Sequence, residues 1–228
     1  MKKRFFITGF PRTRTAWMSV LLTTKQSFCY HEIMQRAGTE SSITNMIEQR
    51  EEPYVGSSGS DIPLFMEHLI LPNTNFPIVV IERDSDSINN SLRGLFGDKA
   101  FNLMNDVSNN INQTLNERLN IIKKLPNTIR VNYNELNNEN TIRKIWRHCL
   151  PTVPFDKERW EILKTMQIQK HTLEGLIDKE DATKKDLEKE LKKQINKIPS
   201  NLKQDLSQNI LNFNKQKINE EKRHHTIH

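Results

Sequence analysis

Short apolar runs alternate with helical spacings over the first three quarters of the chain. Arg4-Phe5-Phe6-Ile7-Thr8 is nearly unbroken in its apolar character and predicts a strand buried on both faces. A helix is predicted after it, from about Thr13 to Thr24. Ser27 to Tyr30 predicts a second strand, and Tyr54-Val55-Gly56 a third, beside a Ser/Gly cluster. Ile78-Val79-Val80-Ile81 is the clearest strand, β-branched throughout and preceded by Pro77. Ile129-Arg130-Val131-Asn132-Tyr133 is another. Helical spacings over 62–71, 86–95, 101–124 and 138–149 separate these runs. Such alternation predicts an α/β fold, a parallel sheet joined by right-handed crossovers and flanked by helices. Ligands of such sheets sit beyond the carboxyl ends of the strands.

The pattern changes near residue 170, where strand signals stop. Leu187, Leu191, Ile195 and Ile198 are spaced along one helix face, and Leu202, Leu206, Ile210 and Phe213 along another. Pro199 breaks the first helix and Ser200 suits the N-cap of the second. The expected organisation is an α/β domain over 1–170 and a charged helical hairpin over 171–228. The hairpin would pack on the core or on a second subunit, giving a homo-oligomer. Its charges read as a solvated face, so nucleic acid is not the expected partner. His224, His225 and His228 are assigned no function.

Composition narrows the setting. Of 228 residues, 35% are hydrophobic and 27% charged, enough apolar material for a sizeable core. The net charge of +6 favours an anionic partner. Cys29 and Cys149 have no second cysteine or histidine at zinc-ligand spacing, and are expected to be reduced, buried thiols in a cytoplasm. The basic start Met1-Lys2-Lys3-Arg4 is followed by an apolar run only from Phe5 to Phe10, too short for a signal peptide or membrane anchor. No membrane association is expected.

The segment richest in chemistry is Thr8-Gly9-Phe10-Pro11-Arg12-Thr13-Arg14-Thr15-Ala16-Trp17. It links a predicted strand to a predicted helix, where unpaired backbone N–H groups converge and favour an anion. Gly9 permits a tight turn, Arg12 and Arg14 add charge, and Thr13 and Thr15 add hydroxyls. A nucleotide-kinase loop has Gly, four residues, then Gly-Lys-Ser/Thr. Counted from Gly9, those last places hold Arg14, Thr15 and Ala16, so both the lysine and the magnesium-binding hydroxyl are missing. A nucleoside or nucleotide kinase is therefore only the runner-up among enzyme readings, and no metal is expected.

Phe10-Pro11-Arg12-Thr13-Arg14-Thr15-Ala16-Trp17 resembles the phosphosulfate loop of sulfotransferases that use 3′-phosphoadenosine 5′-phosphosulfate (PAPS), commonly Tyr-Pro-Lys-Ser-Gly-Thr-Thr-Trp. The resemblance implies a P-loop-like fold and PAPS as the small-molecule donor, with an acceptor hydroxyl or amine left open. It implies that Arg12 stands for the loop lysine on the leaving phosphate. Thr15 and the adjacent amides would hold the 5′-phosphate, Trp17 would lie against the adenine, and Thr13, Arg14 and Ala16 would also belong to the donor site. Two departures are arginine for lysine at Arg12 and arginine for glycine at Arg14.

A second segment, Ile81-Glu82-Arg83-Asp84-Ser85-Asp86-Ser87-Ile88-Asn89-Asn90-Ser91, resembles the family's 3′-phosphate site, a strand-end arginine followed eight residues later by a serine. That implies Arg83 and Ser91 as its anchors. Arg130 to Leu136 is similar to the family's strand ending in Tyr-Glu-Asp-Leu, which implies that Tyr133 lines the nucleotide. Phe155 to Leu163 resembles a segment of small bacterial and phage members; Arg159 and Trp160 in it are expected to pack. The Arg-Lys-Gly segment of longer members and their Thr-His-Leu-Pro histidine have no match. The candidates for a general base are Glu32 and His31, then Asp61, all predicted near strand ends. Each such residue alone more often caps or satisfies backbone. A non-catalytic nucleotide-binding or assembly protein on the same fold is the alternative from another class.

Overall fold

The computed structural model describes residues 2–37, 39–96 and 111–164. Five strands, β1 (Lys3–Gly9), β2 (Ser27–His31), β3 (Tyr54–Ser58), β4 (Ile78–Glu82) and β5 (Thr128–Asn132), form one sheet of order β2-β3-β1-β4-β5, parallel at every pairing. Helices α1 (Thr15–Leu21), α2 (Ile33–Ala37), α3 (Glu40–Glu48), α4 (Met66–Leu69) and α5 (Ser85–Phe96) follow in order. Next come α6, described over 111–122, then α7 (Glu139–Cys149) and α8 (Lys157–Leu163). The expected α/β architecture of a parallel sheet flanked by helices is what the chain adopts. The hairpin expected over 171–228 and the first part of the helix expected over 101–124 lie outside the described residues.

The period of two along each strand divides the core. Phe5, Ile7, Cys29, Tyr54, Val79, Ile81 and Val131 face one layer, which holds Trp17, Met18 and Leu21 of α1, Ile142, Ile145 and Trp146 of α7, and Trp160 and Leu163 of α8. Phe6, Phe28, Tyr30, Val55, Ile78 and Val80 face the other, with Ile43 and Ile47 of α3, Met66 and Leu69 of α4, and Leu115, Leu119 and Ile122 of α6. Neighbouring strand residues thus serve opposite layers, and burial on both faces explains the unbroken apolar runs. Cys29 and Cys149 are free, buried thiols, as expected. Burial pushes both thiols well above their ordinary pKa. Arg159 and Trp160 pack as expected, at 1% and 3% exposure, and Arg159 Nη2 donates to the Val20 carbonyl at 2.7 Å. Among the described residues, no helix is long and apolar enough to cross a membrane.

Strand order places the site. From β1 the chain moves to β2 on one side of the sheet; from β4 it moves to β5 on the other. The connections therefore diverge between β1 and β4, which pair directly with Gly9 opposite Ile81. A crevice forms beyond the carboxyl ends at such a divergence. The loop after Gly9 and the residue after Glu82, Arg83, both lie there.

Candidate functional site

The β1–α1 loop is held in an uncommon conformation. Arg12 has φ 70° and Arg14 has φ 63° with ψ 28°, left-handed backbone that favours glycine. Such residues cost about 1–3 kcal/mol each and persist where surrounding contacts over-determine them. Those contacts are present. The Thr13 hydroxyl, fully buried, donates to the Phe10 carbonyl at 2.7 Å and closes the turn. Arg83 Nη1 donates to the Arg12 carbonyl at 2.7 Å, so the end of β4 grips the loop backbone. Arg14 Nη1 donates to Asn137 Oδ1 at 2.8 Å. A methyl group on Gly9 would run into the Ile81 carbonyl and come within 2.7 Å of the Thr13 hydroxyl, which is why glycine suits the start of this turn. The first hydrogen bond of α1 runs from Met18 N to Arg14 O at 2.9 Å, so the amides of Thr15, Ala16 and Trp17 precede the intrahelical ladder.

The residues expected to anchor two phosphates come together in one cluster. Arg12 Nε donates to Ser91 Oγ, on α5, at 3.0 Å. Ser91 is thus joined to Arg12, while Arg83 reaches the same residue's carbonyl. The Arg83 guanidinium lies 4.1 Å from the Tyr133 ring centroid, and Arg14's lies 5.4 Å from it. Burial, and then the positive charge of Arg83, push Arg12 below its ordinary pKa, with Tyr133 acting the other way. Glu82, the carboxylate beside Arg83 in sequence, is ion-paired instead with Lys123 and Arg130, each at 3.0 Å. Arg83 Nε is buried with no hydrogen-bond partner, an unsatisfied donor in a cationic setting. Like charges held close by protein contacts, with a donor left over, suit a polyvalent anion.

Other expected site residues are placed differently. Trp17 is 2% exposed, in the core, and its indole N–H donates to the Leu163 carbonyl at 2.7 Å. Its burial under α8 does not fit the platform for adenine that the resemblance implies. Ala16 is buried beside it at 6%. The Thr13 hydroxyl serves the turn, as described, rather than a ligand. Thr15 Oγ1 lies 3.4 Å from His31 Nε2, a long contact, and its carbonyl accepts from Ser58 Oγ at 2.8 Å. In this loop the backbone amides and the arginines are the groups whose chemistry best suits an anion.

The base candidates gather at the ends of β2 and β3, beside the loop. His31, Glu32 and Asp61 are 3%, 7% and 7% exposed. Glu32 has φ 50°; its N–H donates to the Ser58 carbonyl at 3.1 Å, and Glu32 Oε1 accepts from Ser60 Oγ at 3.4 Å. Asp61 Oδ2 accepts from Met34 N at 3.2 Å, in the first turn of α2. Gly59 keeps the two carboxylates' neighbourhood compact, since a methyl group there would strike Asp61 Oδ1 and press on Glu32. Asp61 thus satisfies backbone, the ordinary role of a strand-end carboxylate.

The sequence alone assigns no role to Ser58, Thr8 or Asn137. Thr8 Oγ1 donates to the Gly59 carbonyl at 2.9 Å, tying the ends of β1 and β3 together. For Asn137 the available signal is the run of Asn132, Asn134, Asn137 and Asn138 from the last residue of β5 onward, typical of local side-chain-to-backbone turns. Among the described residues, no group of three His, Cys, Asp or Glu could hold a metal ion. No family model, curated protein or solved structure matches the chain.

Proposed function

We propose that the chain is a PAPS-dependent sulfotransferase with the fold of that family, acting on a hydroxyl or amine acceptor. The observation that carries this reading is the Arg12–Arg83–Ser91 cluster at the β1/β4 divergence. It joins the two segments that resemble the family's phosphate sites, 79 residues apart between Arg12 and Ser91. Arg83, with its unsatisfied Nε, would bind the 3′-phosphate. Arg12 would face the 5′ side, where charge grows on the departing phosphate oxygen as the S–O bond breaks. Loop amides would hold the 5′-phosphate. Arg14 adopts left-handed backbone, a conformation that favours glycine, the residue common at this place in the loop that the segment resembles. Glu32 or His31 would accept the acceptor's proton.

A second reading rests on the burial of all three base candidates and on the backbone role of Asp61. These favour a protein that binds the nucleotide without turning it over. Calorimetry with 3′-phosphoadenosine 5′-phosphate, the desulfated product, tests the binding both readings share. Binding undiminished by EDTA and stronger than that of AMP or ATP is expected. Tighter binding of magnesium-ATP than of the bisphosphate would remove the donor assignment. An acceptor screen with radiolabelled PAPS then separates enzyme from binding protein.

A further inference from the structure

The turn after β5 is built more firmly than a connection needs to be. Asn132 caps the 3₁₀ segment Tyr133–Asn137 by accepting from Asn134 N at 2.9 Å. Asn138 caps α7 by accepting from Asn140 N at 2.8 Å. Leu136, between the caps, is fully buried. Two asparagine caps and a core anchor therefore fix the segment whose ends are Tyr133 and Asn137. Asn137 holds Arg14 through a charge-assisted hydrogen bond, and the Tyr133 ring lies against both Arg14 and Arg83. Arg83 in turn holds the Arg12 carbonyl. A chain of contacts thus runs from this turn to each arginine of the site.

We propose that Tyr133 and Asn137 are positioning residues for the anion site, Tyr133 setting its preference for a bisphosphate over a monophosphate and Asn137 the strength of its hold on phosphate. This rests on the donor assignment above. Repulsion between guanidinium groups would spread them in a looser protein. A fixed aromatic ring and a fixed amide oxygen hold two of them at set places, so less ordering is left for binding. Tyr133 acts through Arg83 on the 3′-phosphate. Asn137 acts through Arg14 on the loop, at the position where this chain departs from the family's glycine.

Affinities for 3′-phosphoadenosine 5′-phosphate and for AMP, measured by calorimetry on the full chain, test the proposal. Tyr133→Leu is expected to lower the bisphosphate-to-AMP preference about ten-fold, and Tyr133→Phe, which keeps the ring, to leave it within about two-fold. Asn137→Ala is expected to weaken bisphosphate binding about three-fold. The double variant Asn137→Ala/Arg14→Gly should then match Arg14→Gly alone, because Asn137 works only through Arg14. A merely structural asparagine would instead add its own loss. Asn137→Ala binding like wild type, or additive losses in the double variant, would overturn Asn137's role. An unchanged preference in Tyr133→Leu would overturn that of Tyr133; should that variant not fold, loss of preference in Tyr133→Phe does the same. A wild-type protein that binds neither nucleotide would sink the donor assignment and this proposal together, an outcome distinct from the others.

Discussion

Arg12 meets two demands at once: its backbone lies in left-handed space, and its side chain is held between Ser91 and the charge of Arg83. The first is stabilised by the Arg83 bond to its carbonyl, so truncating Arg83 acts on both. Arg83→Ala is expected to weaken binding of the bisphosphate by about 1.5–3 kcal/mol, the value of a charge-assisted contact. Binding of AMP should fall by less, because only the support of the loop is lost. Titration of both nucleotides against the variant checks this, and equal losses would make Arg83 a loop support alone. Nearby, Thr13 and Trp17 show why residue type alone overstates a site. In a sequence that resembles a phosphate loop, the hydroxyl is expected to meet the phosphate and the indole ring the adenine, yet here the Thr13 hydroxyl and the Trp17 N–H donate to the Phe10 and Leu163 carbonyls.

At the scale of elements, the site depends on how β1 passes into α1. Gly9→Ala would press a methyl group against the Ile81 carbonyl on β4, which is backbone and cannot swing aside. Loss of about 1–3 kcal/mol in urea unfolding is expected, with weakened nucleotide binding in the folded fraction. Wild-type stability would show that the strand ends are looser than this geometry implies. Much of this level was legible in the sequence. β1 and β4 were predicted nearly at their observed bounds because burial on both faces leaves unbroken apolar runs, and β5 because Ile129 and Val131 alternate with exposed Arg130 and Asn132. The helix expected from Thr13 to Thr24 is shorter, Thr15–Leu21. Arg14 enters left-handed backbone before it, and beyond it the Ser27 hydroxyl donates to the Leu22 carbonyl at 2.7 Å. Helix α3 went unpredicted because Ile43, Met46 and Ile47 are its only apolar positions, among polar residues that favour turns. Its N-cap, Thr39, was the available signal, with Ser42 N donating to Thr39 Oγ1 at 3.3 Å. The meeting of Arg12 with Ser91 and of Arg14 with Asn137 was not legible, since these pairs are 79 and 123 residues apart and depend on strand order.

At the scale of the whole molecule, the end of the sheet opposite the site has its own fastening. His148 Nε2 lies 3.2 Å from the Ile78 carbonyl and 3.1 Å from that of Asn127, so α7 is tied to the amino ends of β4 and β5. Burial lowers the His148 pKa from 6.5, against the two backbone bonds, which act to raise it. A folded-state pKa below the unfolded value means that the contribution is complete above 6.5 and is lost as pH falls from there through the lower folded-state value. His148→Gln should therefore flatten the decline in thermal stability between about pH 7 and about pH 5. An unchanged pH profile would show that His148 titrates alike in both states. The central claim, transfer of a sulfuryl group with Arg12 acting on the departing phosphate, lies at the other end of the sheet. Its most direct test is the rate of release of 3′-phosphoadenosine 5′-phosphate from saturating PAPS, with an acceptor found by the screen or with water. Arg12→Ala is expected to slow that rate about 100-fold or more while donor binding changes far less, with Arg12→Lys retaining substantial activity. Release from Arg12→Ala at the wild-type rate, with donor still bound, would contradict the account.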